Sequence, residues 1–542
     1  MTENVFLERG CYYDSARLMA VARELRAVSG VTDAEVMMGT AMNRALLADT
    51  GFSKQDLDAA GPMDLVVAVR ADSVETIGAV RARLATLLSG RETSPTATSA
   101  APPSGGSGGP ATLTDALAAH PAAGLVSIAV PGAYAAFLAH RALDAGRSVF
   151  LFSDNVPVAD EVALKHRAVE AGLLMMGPDC GTAILAGVGL GFANRVPRGP
   201  VGIVGASGTG TQEVSCILAR VGVGVSHAIG TGSRDLSYEV GGRMTEMGLG
   251  LLAADDMTRV VVVVAKHPHA EVAARLHGVF AGLGKPVIVR YLGGAGRGGI
   301  DGVMYAGSLD EAAAVAAAHA RGGTWRPAEV APAPAGPSPG SGSEVAADLS
   351  TGTGSGAGMD AVPGSGSPPV AGRLVGLFGG GSLAAEAAHI LAGHGLPTST
   401  PEVVLRAGRP LPGDGHLIVD TGDDVYTVGR PHPMVDQTVR CDLIRTAGGD
   451  PGVGIVLLDL VLGDGAHPDP APEIAEAVGY ARRRRTTPLA VVCSVCGTTA
   501  DPQGLQRQEQ ILREAGIEVT TTAAQAAMLA ARLLGAGAGR TA

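Results

Sequence analysis

"VGIVGASGTGTQEV" at residues 201–214 decides the fold. An apolar run of strand type breaks into glycine, serine and threonine, then resumes with helical spacing. Backbone amides crowded at such a turn, with the positive end of the helix dipole behind them, hold an anion. In Gly205-Ala206-Ser207-Gly208-Thr209-Gly210-Thr211-Gln212-Glu213 the small residues let the backbone approach a ligand, and the hydroxyls of Ser207, Thr209 and Thr211 add donors. The stretch has neither the lysine of a Walker loop nor a full G-x-G-x-x-G. Taken alone it also suits a tight βα connection with no ligand.

The same style extends outward. Residues 113–326 alternate GLVSIAV, SVFLFS, LLMMG, GPVGIVG, RVVVVVAK and PVIVRYL with amphipathic stretches of helix length, the pattern of doubly wound parallel sheets, here two in tandem. Residues 373–542 repeat it with RLVGLFGGG, HLIVD, VGIVLLDLVLG, PLAVVCSVCG and IEVTTT. Residues 1–91 read as strand (NVFLER), helix, strand (DAEVMMG), a helical turn with Asn43 and Leu46, strand (MDLVVAVR) and helix, a small α+β domain. Between the blocks lie ETSPTATSAAPPSGGSGGPAT at 92–112, a linker, and an Ala/Pro/Gly/Ser tract over 327–372. Neither can bury enough apolar surface to offset its ordering entropy, so the second is expected to be disordered.

Composition narrows the function classes. The 542 residues are 46% apolar, 17% charged and only 3% aromatic, which describes globular cores of Ala, Val, Leu and Gly. A net charge of −11 argues against a nucleic-acid surface. No apolar run approaches the roughly 20 residues of a membrane span. The opening MTENVFLERGCYYDSARL lacks an export signal, and six scattered cysteines read as reduced thiols, so a cytoplasmic protein is expected.

"PGAYAAFLAHRALDAG", "FSDNVP", "AGLLMMGPDCGTA" and "GIVGASGTGTQE" run in the order found in the alpha subunit of succinyl-CoA synthetase. "GLFGGGSLAAEA", "DTGDD" and "VLLDLVLGDGAHPDP" resemble the carboxy-terminal ligase domain of its beta subunit. With "ERGCYYDSARLM", "VMMGTAMNRALL", "HAIGTGSRDLSYEVGG", "SLDEAA" and "GDDVYTVGRPHPMVD", the whole chain resembles the FdrA family of acyl-CoA-synthetase-like proteins. That resemblance implies a Rossmann-like CoA-binding domain at 113–198, a flavodoxin-like synthetase domain at 199–326 and a ligase-type domain at 373–542. It implies CoA as a cofactor near Pro131, Asp154, Asn155 and Asp179, and two helix ends converging on one phosphate, the second at Gly380, Gly381 and Ser382. It also implies a subunit of an oxamate carbamoyltransferase in purine and allantoin nitrogen breakdown, with further protein subunits and an oligomer as partners.

Departures from the synthetases shape the chemistry. Their phosphate-carrying histidine loop corresponds to "RGGIDGVMYAGSLDEA", where Tyr305 precedes Ala306 and no histidine stands. The strand that should present a glutamate ends in Lys266, a cation suited to an acyl phosphate. No stretch forms an ATP-grasp module. A chain that keeps the cradle without the histidine can use a ready-made acyl phosphate such as carbamoyl phosphate. Lys266 then assists the leaving group, with Arg234 or Arg430 as further cations and His432 in "RPHPMVD" as a base or orienting group.

Several features have plainer readings. His432 also suits a satisfied surface histidine. His267 and His269 lack further ligands, so no metal is predicted. Cys493 and Cys496 form a C-x-x-C of buried strand-end thiols, and Cys180 packs in a backbone turn. "RRRR" at 482–485 reads as a solvated helix end. The sequence therefore predicts an acyl- or carbamoyl-transfer enzyme acting between Ser207–Glu213 and the Gly380 turn. The alternatives are an acyl-CoA synthetase relying on a nucleotide-binding partner and a non-catalytic assembly subunit.

Overall fold

The structure, a computed structural model, describes residues 2–88, 110–323 and 370–535, apart from positions 12, 14, 63, 111, 295–297, 301 and 428–429. The expected linkers lie almost wholly outside the described residues. Contacts divide the chain into two units: Met1–Gly124 with Gly422–Asp436, and Leu125–Thr421 with Gln437–Ala542.

The first unit contains β1 (Thr2–Glu8), α1 (Ser15–Arg26), β2 (Val31–Met38), α2 (Ala41–Asp49), α3 (Lys54–Asp58), β3 (Leu65–Ala71), α4 (Val74–Leu88) and α5 (Leu113–Ala119). Its sheet is antiparallel with the order β1-β3-β2. Because strand side chains alternate, Val67 and Val69 of the central strand pack with Leu18, Leu25 and Val80, while Val66 and Ala68 pack with Leu47, Phe52 and Leu57. The helical turn expected at Asn43 is a nine-residue helix, capped by Thr40, whose hydroxyl accepts from the Asn43 amide.

The second unit opens with β4 (Leu125–Ile128), α6 (Gly132–Asp144), β5 (Ser148–Leu151), α7 (Val158–Glu170) and β6 (Met175–Met176), a small parallel sheet. There follow β7 (Thr182–Leu185), β8 (Val188–Gly191), β9 (Val201–Ala206), α8 (Gly208–Arg220), β10 (Val225–Gly230), α9 (Arg243–Ala254), β11 (Val260–Lys266), α10 (Ala270–Ala281), β12 (Val287–Leu292), β13 (Gly298–Ile300), β14 (Val303–Tyr305) and α11 (Leu309–Ala320). These strands form one sheet ordered β13-β14-β12-β11-β9-β10-β7-β8. The division expected at 198/199 cuts through it, because β7 and β8 pair with each other and β7 pairs with β10. Their hairpin turns on Ala186 and Gly187, both at positive φ, a conformation that matches strand twist but that an alanine does not advertise.

The chain ends with β15 (Arg373–Phe378), α12 (Gly381–Gly393), β16 (Thr398–Ser399), β17 (His416–Asp420), α13 (Asp424–Thr427), α14 (Thr438–Gly449), β18 (Val453–Val461), α15 (Ala471–Arg483), β19 (Ala490–Cys496), α16 (Leu505–Glu514), β20 (Glu518–Thr520) and α17 (Ala523–Leu533). Of these, α13 belongs to the first unit. The sheet is all parallel, ordered β16-β17-β15-β18-β19-β20, and every residue of β18 is buried, as a covered parallel strand requires. Helices α8, α11, α12 and α17 lie between the two large sheets, α8 packing on α11 and α12, and α12 on α17. The fold is thus mixed α/β with parallel sheets and a small α+β amino-terminal part. Among the described residues no helix is long and apolar enough to cross a membrane.

Candidate functional site

The turn at 205–211 and the turn at 379–382 meet. Ser207, the N-cap of α8, makes no capping bond with its side chain; its hydroxyl donates instead to the Ser382 hydroxyl at 2.6 Å, both residues being buried. A Cβ on Gly380, the N-cap of α12, would stand 2.8 Å from Thr209. A Cβ on Gly210 would collide with the Ser207 hydroxyl and come within 2.9 Å of Val264. The glycines are therefore demanded by approach, not only by turning. Thr211 turns inward, its hydroxyl donating to the Ser207 carbonyl at 2.7 Å. Neither helix carries an acid in its first turn, so both positive dipole ends face the junction. Gly208 and Thr209 remain partly exposed there. Lys266 is exposed and ends β11, one residue beyond the Ala265–Ala206 register pair, which puts it at the same sheet edge as Ser207.

The two helix ends are not equivalent. Asp459, fully buried on β18, accepts the Gly379 amide at 2.7 Å and the Gly380 amide at 2.8 Å. Arg440 neutralises it with a 2.7 Å ion pair. A Cβ on Gly381 would collide with the Asp420 carboxylate. Gly380, expected as a free amide donor, is thus already occupied by an internal carboxylate. No local signal connects it to a residue 79 positions away. The available sign was an aspartate inside the apolar run VGIVLLDLV, a place where a charge does not sit unpaired.

Glu213 also departs from expectation. Almost two turns beyond Ser207, it is buried and accepts the Ala523 amide at 2.9 Å. Its other oxygen has no partner among the described residues. Burial, reinforced by the Asp310 charge, lifts its carboxyl well above the usual range. It anchors the start of α17 rather than contacting an anion. Asp310 accepts the Thr522 hydroxyl at 2.9 Å. Arg290 on β12 pairs with Glu386 on α12 at 2.6 Å, both fully buried, and Glu386 also accepts the Leu309 amide at 2.7 Å.

The residues expected around CoA sit at the carboxyl edge of β4, β5 and β6, where open parallel sheets bind ligands. Pro131 caps α6 without a side-chain bond. Asp154, Asn155 and Asp179 are exposed, the last two at positive φ. Ser153 beside them is buried, its hydroxyl without a partner among the described residues, and a Cβ on Gly132 would strike the Asp154 carbonyl. An orphaned donor beside a glycine-lined edge fits a nucleotide-bearing cofactor such as CoA. Arg234 is tied to this loop, donating to the Val156 carbonyl at 2.8 Å and pairing with Glu161 at 2.9 Å.

Arg430 and His432 belong to the first unit. There Arg26 pairs with Glu35 at 2.7 Å and approaches Asp436 at 3.8 Å. Burial raises the Glu35 carboxyl against the pull of Arg26. The His432 ring accepts the Met434 amide at 3.1 Å. The stretch read as replacing the histidine loop forms the β13–β14 hairpin, and Tyr305 bonds His277 at 2.8 Å. All six cysteines are free. Burial pushes Cys180 and Cys493 up to about 12. Arg482 and Arg485, expected at a solvated helix end, instead bind backbone carbonyls of Leu489, Gly516 and Val453.

The CoA-ligase family matches residues 377–533, and a heavy metal-associated domain family described as AllF matches 1–103. The uncharacterized protein YahF of Escherichia coli (strain K12) is 33% identical over 538 residues, 98% of each chain. Among solved structures, the apo dinucleotide forming acetyl-coenzyme A synthetase 1 of Ca. Korarchaeum cryptofilum is 16% identical over 76% of this chain and 83% of its own, with a TM-score of 0.30. The ATP citrate lyase of Methanothrix soehngenii is 18% identical over 38% of this chain and 36% of its own, with a TM-score of 0.31. The heavy-metal description does not fit the donors present. Cys11 is the only cysteine in residues 1–103, its thiol donates to the Glu8 carbonyl at 3.2 Å, and soft metals are held by sets of thiolates or imidazoles. Among the described residues no group of three or more His, Cys, Asp or Glu could hold a metal ion.

Proposed function

Since the chain belongs to the FdrA-like CoA-ligase family, we propose that it transfers an acyl group out of an acyl phosphate held at the start of α8, with carbamoyl phosphate as the donor. The observation that carries this reading is the junction of α8 and α12 at Ser207 and Ser382, with Lys266 at the same edge. The acceptor's nitrogen attacks the carbonyl carbon, the carbon–oxygen bond to phosphate breaks, and the phosphate departs with added charge and takes up the proton that the nitrogen releases. Amides of Gly208, Thr209 and Gly210, the hydroxyls of Ser207 and Ser382, and Lys266 stabilise that charge where it develops. The entering anion replaces the serine–serine bond, so both hydroxyls gain a partner. Because the Gly380 amide is taken by Asp459, the α12 side contributes Gly381 and Ser382.

This reading makes the protein a subunit of an oxamate carbamoyltransferase, working in the cytoplasm with further subunits. It gives the module of β4, β5 and β6 to CoA, which would be held by Pro131, Asp154, Asn155 and Asp179 and whose thiol would be the acceptor only in the synthetase reading that follows. Arg430 and His432, which lie in the first unit, are assigned no part in this step. A second reading, an acyl-CoA synthetase that borrows a nucleotide-binding partner, draws on the CoA-ligase match over 377–533.

Calorimetry separates the two. Carbamoyl phosphate is expected to bind the wild type, and Ser207→Ala and Lys266→Ala to weaken it about tenfold each, the worth of one charge-assisted contact, while CoA affinity stays unchanged. Unaltered carbamoyl phosphate binding in both variants, or binding of ATP and CoA alone, overturns the transferase reading.

A further inference from the structure

Cys496 ends β19, and its thiol donates to the Cys216 thiol of α8 at 3.8 Å, both residues being buried. The two stand 280 positions apart in sequence, and their contact crosses from the helix that follows β9 of one large sheet to a strand of the other. The C-x-x-C of the sequence is not this pair. Strand side chains alternate, so Cys493 and Cys496 leave β19 on opposite faces, and the Cys493 thiol donates to the Ser494 carbonyl. Two sulfurs already in contact need only small side-chain rotations to close to the roughly 2 Å of an S–S bond. Arg220, one turn beyond Cys216, donates to the carbonyls of Val495 at 2.6 Å and Gly497 at 3.0 Å, on either side of Cys496. It is itself only partly buried, so the thiols lie about one helical turn in from solvent. Contact with Cys216 and burial hold the Cys496 thiol well above its ordinary range, and the resting pair is therefore two thiols, as the free cysteines show.

We propose that Cys216 and Cys496 form a reversible disulfide that staples α8 to β19 when a small-molecule disulfide such as oxidised glutathione is in excess. One thiol, deprotonated when the contact opens, attacks the glutathione disulfide and releases one glutathione. The second attacks the mixed disulfide and releases the other. The two protein sulfurs give up two electrons and two protons, and the oxidant becomes two glutathione thiols. A cross-link over so long a loop restricts the unfolded chain strongly, so the oxidised form holds the two large sheets together more tightly. Because α8 starts at Ser207, redox state then sets how freely that helix moves against α12. The staple forms or fails whatever ligand the junction holds.

The test exposes the full chain to oxidised glutathione, in buffer and in urea below the unfolding transition. The protein is quenched with N-ethylmaleimide in denaturant and mapped by mass spectrometry without reduction. Dithiothreitol-treated protein, Cys216→Ala and Cys496→Ala are run alongside, with thermal melts. The wild type is expected to yield one linked peptide pair, Cys216 with Cys496, undone by dithiothreitol, while its remaining cysteines take up the alkylating agent. Its melting temperature should rise by about 5 °C on oxidation, and neither variant should link or shift. Absence of the link in both solutions, arrest at a glutathione adduct, a bond from Cys496 to Cys493, or a lower melting temperature on oxidation each overturns the assignment. Should a variant fail to fold, the wild-type map and melting shift decide.

Discussion

Asp310 shows how one buried residue ties stability to pH. Burial lifts its carboxyl to about 6, while in an unfolded chain it titrates near 4. Between those values the folded state binds more protons than the unfolded one, so this term stabilises fully at low pH and is lost as pH rises through about 6. The neighbouring groups are Glu213, Glu386, Arg220 and the Thr522 hydroxyl. Glu213, raised for the same reason, acts in the same direction. A shift of about two units corresponds to about 3 kcal/mol. Asp310→Asn keeps an acceptor for Thr522 and removes the charge, so it is expected to melt above wild type at pH 7 and to converge with it near pH 4.5. Parallel melting curves across that range would show that the acids are not held as described.

At the scale of elements, α12 offers a contrast within one helix. Gly380 faces Thr209, with room for no side chain, whereas a Cβ on Gly393, the last helical residue, meets open space. Gly393→Ala is expected to raise stability by about 0.5–1 kcal/mol through helix propensity and a less free unfolded chain. Gly380→Ala should lower stability and weaken carbamoyl phosphate binding, because α12 must retreat from α8. Equal effects of the two substitutions, read in chemical denaturation and calorimetry, would deny the close approach. The same elements show what the sequence could and could not tell. Runs such as RVVVVVAK and VGIVLLDLVLG announce covered parallel strands, since only a sheet buried on both faces tolerates them. The turns at Ser207 and Gly380 were legible as tight strand-to-helix connections, because glycine and serine follow an apolar run at both. Partners across the fold were not. Asp459 reaches Gly380, and Arg290 reaches Glu386, through tertiary packing that leaves no periodic trace. Only their position as charges within apolar strands hinted that each needed a counterion.

For the second unit as a whole, the two large sheets depend on each other. Glu386 of α12 finds its counterion on β12. Glu213 and Arg220 of α8 bind the Ala523 amide and the carbonyls of Val495 and Gly497. Asn194 joins the Leu462 carbonyl and Asp501 at 2.9 and 2.8 Å. Residues 373–542 produced alone would leave Glu386 without Arg290, present the face of α12 that otherwise meets α8, and free the start of α17 from Glu213. An uncompensated buried charge costs several kcal/mol, a large share of a domain's net stability. The fragment is therefore expected to be insoluble or to lack a cooperative melt, and co-production with 113–323 should recover a soluble pair that copurifies. In the full chain Arg290→Met should lower the melting temperature of this unit in one step, since the sheets share a helical layer and cannot loosen separately. A fragment that folds sharply by itself, or a variant that splits the transition in two, would show the sheets to be independent. The junction of α8 and α12 would then need another force to hold Ser207 against Ser382.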